Sequence, residues 1–309
     1  MSLPAADGAA SHRSGATAPP PAVPLPRPAE IGVSEPPRRI TDAEFKAIAG
    51  HLHDKTGIRI VPGKETMVMG RLEKRLRALG LRTYSQYFDH IRRPGNELEH
   101  RAAIDLLTTN ETYFFREPKH FEFLRDVLAP AHTTSRPFRV WSAASSSGEE
   151  AYTTAMVLAD AMPQRQWEIV GTDISSRVVE RSRTGIYPIT AAEKIPQHYL
   201  RRFCLKGRGE YEGMLGVAKE LRSRTTFRCA NLLEDLSSLG RFDLILLRNV
   251  MIYFEQDTKA DIIRRLQTML QPGGHLMVSH SETLNGLPTL LKPVAPSIYR
   301  LPGDEDDRA

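Results

Sequence analysis

FRVWSAASSSGEE, residues 138–150, is the stretch of this 309-residue chain that decides its fold. Its first four residues predict a strand, its middle is a turn of small residues, and a helix begins at Glu149 and runs to Ala161. A second strand is predicted at 167–173, and the next helix begins at Ser176. Strands that alternate with helices in this way predict a parallel sheet covered by helices on both faces.

The same alternation continues towards the C-terminus. Residues 242–247 read as a buried strand, residues 258–270 as an amphipathic helix, and residues 275–279 as a further strand. We therefore predict one α/β domain over 138–302.

The chain before residue 138 has a different pattern. Thr41-Asp42-Ala43-Glu44 has the spacing of a helix capping box, and three further helices are predicted at 64–79, 84–91 and 97–107. With no strand signal among them, these helices predict a small all-helical domain over 37–107, which an interdomain segment with a helix, 108–137, joins to the sheet. Nine of the 22 prolines precede Arg38, so residues 1–36 are expected to be a disordered Pro/Ala-rich tail.

Composition excludes several classes of protein. Hydrophobic residues make up 40% of the chain and charged residues 26%, which is typical of a soluble protein with a substantial core. No run approaches the ~18–20 apolar residues of a membrane helix, and residues 1–35 lack the apolar segment of a signal peptide. Two cysteines cannot build a disulfide framework, so we expect a cytoplasmic protein without membrane insertion. The net charge of +5 is too diffuse to indicate nucleic-acid binding.

The turn after the first strand is a candidate ligand site. Small residues such as Ala144 let a ligand approach the backbone, and the N-terminus of the following helix offers amide donors. Of the three glycines in the dinucleotide-binding pattern G-x-G-x-x-G, only Gly148 is present, and the carboxylates of Glu149 and Glu150 would repel a pyrophosphate. A carboxylate suits an ammonium and a sulfonium, so the turn favours S-adenosylmethionine over NAD. Asp173 ends the second strand, where it would accept hydrogen bonds from ribose hydroxyls or, alternatively, cap the next helix.

Two further polar segments stand out. Residues 108–116, TTNETYFFR, lie between the predicted domains, and residues 248–254, RNVMIYF, follow directly on the buried strand. Open α/β sheets bind ligands at the carboxyl ends of their strands, so Asn110, Arg116 and Asn249 are candidate ligand contacts. The alternative for these three residues and for Tyr253 is a place in a solvated loop. Phe114, Phe115 and Phe254 are expected to pack in the core.

Several motifs in one order carry a family resemblance: TTNETYFFRE, WSAASSSGEEAY, GTDIS, NLL, RNVMIYF and PGGHLMVSHSE. From about Thr41 to Leu301 the chain resembles the chemotaxis receptor methyltransferase (CheR) family. The resemblance implies a Rossmann-like methyltransferase sheet with a small N-terminal all-helical domain and a small antiparallel β insertion. It also implies transfer of a methyl group from S-adenosylmethionine to glutamate side chains on the cytoplasmic helical bundle of chemoreceptors.

The resemblance also implies roles for individual residues. Asn110, Thr112 and Arg116 would contact the cofactor from the interdomain segment, Glu150 would hold its methionine part, and Asp173 its ribose. The surroundings of the adenine would include Asn231 and Leu232, and the same pocket would be lined by Ala144, Arg248 and Asn249. Arg116 and Tyr253 are the expected positioning residues at the reacting methyl group. A glutamate, with an ordinary pKa near ~4.3, is already ionised at neutral pH, so the reaction needs no general base.

The proposed substrate gives a reason for a basic helix face. Residues 64–82 carry six basic and two acidic residues, and Arg71, Lys74 and Arg75 lie away from the apolar stripe of Val68, Leu72, Leu76 and Leu79. We predict that these three basic residues dock the receptor's methylation region.

Residues 203–222 interrupt the alternation of strands and helices. The turn glycines Gly207, Gly209 and Gly213, with Leu215-Gly216-Val217 and Leu221 as short strands, predict a small antiparallel ribbon. Its edge could accept a receptor C-terminal peptide, as the resemblance implies for some members, or it could be a surface excursion with no partner.

The sequence leaves alternatives open. The histidines show no ligand spacing, so no metal site is expected, and we expect a monomer. A methyltransferase acting on a small molecule or RNA would keep the same fold, and so would a regulator that binds S-adenosylmethionine without transferring methyl groups. An NAD-linked dehydrogenase is disfavoured by the missing glycines.

Overall fold

The computed structural model describes residues 37–303 of the chain. The expectation of a disordered tail over 1–36 falls outside these residues. Among them, no helix has the length and apolar character needed to cross a membrane.

The N-terminal domain is all-helical, as predicted. It consists of α1 (Asp42–Thr56), α2 (Glu65–Ala78), α3 (Tyr84–Arg92) and α4 (Glu97–Leu107). The capping box is present, because the Thr41 hydroxyl accepts from the Glu44 amide while the Glu44 carboxylate accepts from the Thr41 amide at 2.8 Å. The apolar stripe of α2 is buried in a core of its own with residues of the other three helices. A helical stretch then leads to the sheet: α5 (Pro118–Phe123), a π-helical turn (Leu124–Leu128) and α6 (Ala129–Ala131).

Ten strands and five further α-helices follow in the described part of the chain. The strands are β1 (Phe138–Ser142), β2 (Trp167–Asp173), β3 (Ile186–Pro188), β4 (Cys204–Lys206), β5 (Met214–Val217), β6 (Thr225–Cys229), β7 (Phe242–Leu247), β8 (Leu270–Val278), β9 (Lys292–Ala295) and β10 (Ile298–Arg300). The helices are α7 (Glu149–Ala161), α8 (Ser176–Thr184), α9 (Gln197–Phe203), α10 (Lys219–Arg222) and α11 (Gln256–Thr268).

Seven strands form the main sheet in the order β6-β2-β1-β7-β8-β10-β9. The first five are parallel, and β10 runs antiparallel to both of its neighbours. Alternate side chains of the central strands enter two separate cores, with Val140 and Leu244 on the face of α7 and Trp141 and Leu247 on the face of α11. The prediction of a sheet covered on both faces is confirmed.

The β insertion differs from the ribbon that the sequence predicts. It is a three-stranded antiparallel sheet in the order β3-β5-β4, so its third strand comes from residues 186–188, before the predicted range. A strand of three residues is too short to show an alternating pattern. The expectation of a strand at Leu221 is wrong, since Leu221 lies in α10 and packs into the core beside α7.

Candidate active site between the helical domain and the sheet

A cavity of about 360 Å³ lies over the carboxyl ends of β1, β2 and β7. Its volume is in the range of small-ligand sites. The helical domain supplies part of its wall through the segment 56–67, which runs from the last residue of α1 through the connecting loop into the first turn of α2. Every expected cofactor and positioning residue lines this cavity: Asn110, Thr112, Arg116, Ala144, Glu150, Asp173, Asn231, Leu232, Arg248, Asn249 and Tyr253.

The turn after β1 contains two residues in the left-handed backbone conformation, which most residue types rarely adopt. Ser146 has a φ of 48° and Gly148 a φ of 96°, both in the left-handed region. A Cβ on Gly148 would lie 2.8 Å from the Cβ of Ser182, so this position requires glycine for space as well as for conformation. Non-glycine residues in the left-handed region are strained, and such strain is concentrated at functional sites.

Asp173 organises that turn from the end of β2. Its carboxylate accepts hydrogen bonds from the backbone amides of Ser146 and Ser175, both at 2.9 Å. The side chain is buried, and burial raises the pKa of Asp173 against the opposing effect of the two amides. Asp173 is not the helix cap that the sequence left open, because Ser175 occupies that position of α8. It therefore joins two turns while it lines the cavity.

Glu150 is held by a buried arginine. One carboxylate oxygen accepts from the Ser142 hydroxyl at 2.7 Å, and the other accepts from Arg248 Nη1 at 2.9 Å. The Arg248 side chain is 2% exposed, and its second terminal nitrogen donates to the Arg116 carbonyl. Arg248, which lies 98 residues from Glu150 in the sequence, thus connects the first turn of α7 to the interdomain segment.

The interdomain segment approaches the sheet in a strained conformation. Phe115 has a φ of 57° and Glu117 a φ of 58°, so both neighbours of Arg116 are left-handed. The Arg116 guanidinium donates to the Glu111 carbonyl at 3.0 Å and lies over the Tyr113 ring. The Asn110 carbonyl accepts from the Ser146 hydroxyl at 2.8 Å, which ties the segment to the turn after β1.

The loop after β7 is fixed by a carboxylate that sequence reasoning missed. Glu282 accepts from the amides of Asn249 at 3.0 Å and Ile252 at 3.3 Å, and Asn249 has a φ of 59°. The Asn249 side chain donates to the Ser279 hydroxyl at 2.7 Å. Glu282 belongs to the motif SHSE, but nothing in its spacing indicates which amides it binds.

The helical domain is attached to the site at two points. Asn231 donates from its side chain to the Lys55 carbonyl at 2.8 Å and accepts from the Leu233 amide at 3.1 Å. The Tyr253 carbonyl accepts from the Arg59 amide at 2.9 Å. Sequence reasoning did not identify the lining residues of this domain, since no chemistry-bearing pattern occurs there. They are Thr56, Ile58, Arg59, Ile60, Val61, Lys64, Met67 and Leu107.

The three basic residues expected to dock a receptor have different surroundings. Arg71 donates to the carbonyls of Leu107 and Thr108, at the end of α4. Arg75 forms a nearly buried ion pair with Glu99 through two hydrogen bonds. Lys74 is exposed. None of the three lines the cavity.

The expected turn glycines lie in the connection between β4 and β5. Gly209 and Gly213 have φ values of 62° and 77°. A Cβ on Gly207 would lie 1.8 Å from the Tyr211 carbonyl oxygen, so this turn closes only over glycine.

The fold and the cavity define a class: an α/β enzyme that binds a nucleoside-containing cosubstrate over the carboxyl edge of a parallel sheet. Residues 110–299 match the family model described as CheR methyltransferase, SAM binding domain, and residues 43–108 match the one described as CheR methyltransferase, all-alpha domain. The chain belongs to the CheR methyltransferase family. It is an S-adenosylmethionine-dependent methyltransferase, and S-adenosylmethionine is its cofactor.

Curated relatives agree over most of the chain. The chemotaxis protein methyltransferase of Salmonella typhimurium is 38% identical over 269 residues, which cover 86% of this chain and 92% of that protein. The chemotaxis protein methyltransferase 2 of Pseudomonas aeruginosa is 38% identical over 263 residues, which cover 84% of this chain and 93% of that protein.

Proposed function

We propose that this chain transfers a methyl group from S-adenosylmethionine to glutamate side chains of chemoreceptors and so forms glutamate methyl esters. The observation that carries the proposal is the single cavity whose lining includes all eleven residues expected from the sequence. We further propose that the protein acts in the cytoplasm as a monomer. We propose domain boundaries between residues 107 and 108 and between residues 137 and 138. The separate core of the four N-terminal helices supports this division.

The hydrogen-bond acceptors in the cavity suit the cofactor. The part of the wall that follows β1 and β2 contains two carboxylates, Glu150 and Asp173. An ammonium group and the ribose hydroxyls would each find a hydrogen-bond acceptor there. Ile174 and Leu232 supply apolar wall for a purine ring. We assign the methionine part to Glu150, the ribose to Asp173, and the adenine to Asn231 and Leu232.

Asn231 has a specific part in this assignment. One side-chain N–H donates to the Lys55 carbonyl and the side-chain oxygen accepts from the Leu233 amide, so the amide group of Asn231 is held in one orientation in the wall beside the adenine. The remaining wall residues Asn110, Thr112, Ala144, Arg248 and Asn249 enclose the cofactor. Arg248 orients Glu150 through their hydrogen bond and does not itself pair with a charged group of the cofactor.

The reaction requires positioning more than acid–base chemistry. The cofactor supplies a methyl group on a sulfonium, which is an activated leaving group. The substrate carboxylate is ionised at neutral pH, and its oxygen gains the methyl carbon as the sulfur–methyl bond breaks, so no proton moves. Arg116 and Tyr253 would hold the carboxylate in line, and exclusion of water would raise its reactivity.

Receptor docking remains a prediction for the face of α2. Arg71 and Arg75 are engaged with groups of their own domain, so Lys74 is the residue of the three that can meet an acidic receptor surface without giving up an internal partner. Arg71 and Arg75 would then act by fixing α2 against α4.

The antiparallel insertion is a second proposed contact. Its outer strands β3 and β4 each have one paired edge within the three-stranded sheet. An extended receptor peptide could add to a free strand edge, provided that the turn containing Gly207, Gly209 and Gly213 keeps the strand in place.

The proposal is tested by labelled methyl transfer to a cytoplasmic receptor fragment. We expect incorporated label that is released as methanol in mild base, because esters are base-labile and methylated amines are not. A fragment with its acceptor glutamates changed to glutamine should take up no label. Base-stable label would refute ester formation, and transfer to RNA or a small molecule in place of the fragment would refute the receptor as substrate.

A further inference from the structure

Glu117, His120 and His280 form a cluster behind the wall of the cavity. They offer a carboxylate oxygen and two imidazole nitrogens that all lie within 4.8 Å of one another, and the two rings are 4.7 Å apart between centroids. None of the three lines the cavity. From their arrangement we propose a binding site for a divalent transition-metal ion of the zinc class at this cluster.

Ser297 determines which nitrogens are available. Its hydroxyl has one hydrogen and lies 2.6 Å from the Pro296 carbonyl oxygen, 2.8 Å from His120 Nε2 and 3.0 Å from His280 Nδ1. When the hydrogen is donated to the Pro296 carbonyl, the hydroxyl accepts from both imidazoles. The lone pairs then reside on His120 Nδ1 and His280 Nε2. A hydrogen bond at the far nitrogen that fixes the tautomer is the usual support of a metal-binding histidine.

In that tautomer, His120 Nδ1 is an acceptor that lacks a donor. The side chain is 1% exposed, and Nδ1 has no hydrogen-bond partner among the described residues 37–303. It lies 3.5 Å from Glu117 Oε2, which is another acceptor. Two acceptors at this separation repel each other unless a cation or a proton donor lies between them, and a metal ion satisfies both.

The local charge balance favours a cation. Three largely buried carboxylates, Glu117, Glu150 and Glu282, are connected to a network that contains one buried guanidinium, Arg248. Arg248 Nη2 lies 3.3 Å from Glu117 Oε2, and this neighbouring charge makes the site weaker than a zinc site enclosed by protein ligands alone.

The donor types select the metal. Two imidazoles and one carboxylate are a ligand set of Zn²⁺ sites that keep an open position, whereas Mg²⁺ and Ca²⁺ prefer oxygen alone. His280 is exposed, which gives the ion a path from solvent. Bound metal would fasten Glu117, the neighbour of Arg116, to the loop that carries Glu282, and so stiffen the wall of the cavity.

The site is tested by calorimetric titration of Zn²⁺ into the metal-free full-length chain. We expect one equivalent to bind to the unmodified protein. His280→Ala should weaken binding by about 100-fold or more, because loss of a supporting partner alone costs about 10- to 100-fold. Because His280 is exposed, we expect the fold to tolerate its substitution. With Co²⁺ in place of Zn²⁺, intense visible d–d absorption at longer wavelength than that of aqueous Co²⁺ should report tetrahedral coordination, and this absorption should be lost in His280→Ala.

Two matched variants control for other histidines. His198→Ala removes an exposed histidine outside the cluster. His51→Ala breaks a second pair, in which His51 Nε2 and His100 Nε2 are 2.8 Å apart. Both variants should bind Zn²⁺ as the unmodified chain does. The proposal is refuted by an absence of Zn²⁺ binding, by equal binding in His280→Ala, or by loss of the binding in His51→Ala.

Discussion

Asp173→Asn tests the assignment of the ribose, and its magnitude can be worked out from the structure. The substitution keeps the size of the side chain but removes the charge and replaces one acceptor oxygen with an NH₂ group. Because the two oxygens accept from Ser146 and Ser175, the new amide group must face a backbone donor or turn away from it. A ribose hydroxyl would also lose a charged acceptor.

Hydrogen bonds to a charged group contribute about 1.5–3 kcal/mol, and 1.36 kcal/mol corresponds to a factor of ten. The dissociation constant for S-adenosylmethionine should therefore rise about 10- to 150-fold. Titration calorimetry measures it, with thermal unfolding run in parallel to establish that the variant is folded.

Asp235→Asn is the matched control for this change. Asp235 also accepts from the amide two residues ahead, that of Ser237 at 2.9 Å, but it does not line the cavity. The affinity of the Asp235→Asn variant for S-adenosylmethionine should be unchanged. An Asp173→Asn variant that is folded and binds the cofactor as tightly as the control would refute the reasoning.

Three further predictions follow from particular contacts. Arg75→Glu should lower the free energy of unfolding by about 3–5 kcal/mol in urea titration, since it leaves the nearly buried Glu99 without its partner, and an unchanged urea midpoint would contradict this. Lys74→Glu should leave stability and cofactor affinity unchanged and raise the KM for a receptor fragment; an unaltered KM would argue against docking on α2. Burial, followed by the charge of Arg300, lowers the pKa of His275 to about 4, so the unfolded chain binds a proton first as the pH falls. Stability should decline below about pH 6.5, by at most about 1.4 kcal/mol per pH unit from this group, and His275→Gln should flatten that decline.

Local sequence patterns were sufficient to predict several helices and strands and the positions of the motifs relative to them. The capping box at Thr41, the strand 167–173 and the strand 242–247 appear in the structure where the sequence predicts them, because caps and apolar periodicity act over a few residues. The carboxyl ends of parallel strands meet at one edge of a sheet, so motifs that follow strands could be expected to form one site.

Partners distant in the chain were not predictable. The sequence predicts that the basic residues of α2 form one receptor-docking face, but packing against α4 pairs Arg75 with Glu99 and Arg71 with two carbonyls. In the insertion, Leu221 reads as a strand residue, yet contact with the core places it in a helix. In each case a long-range contact outweighed a local preference.

The sequence by itself therefore determined the class of fold, the order of most of its elements and eleven residues of the cavity wall, since these depend on local periodicity and on the motifs that carry the family resemblance. Only the tertiary structure decided which charges pair, that the segment 56–67 closes the cavity, and that Glu117, His120 and His280 meet. Glu117 and His280 are 163 residues apart, and Glu150 and Arg248 are 98 apart. No local spacing encodes such distances, because they arise when the two cores pack on opposite faces of the sheet and draw its loops together.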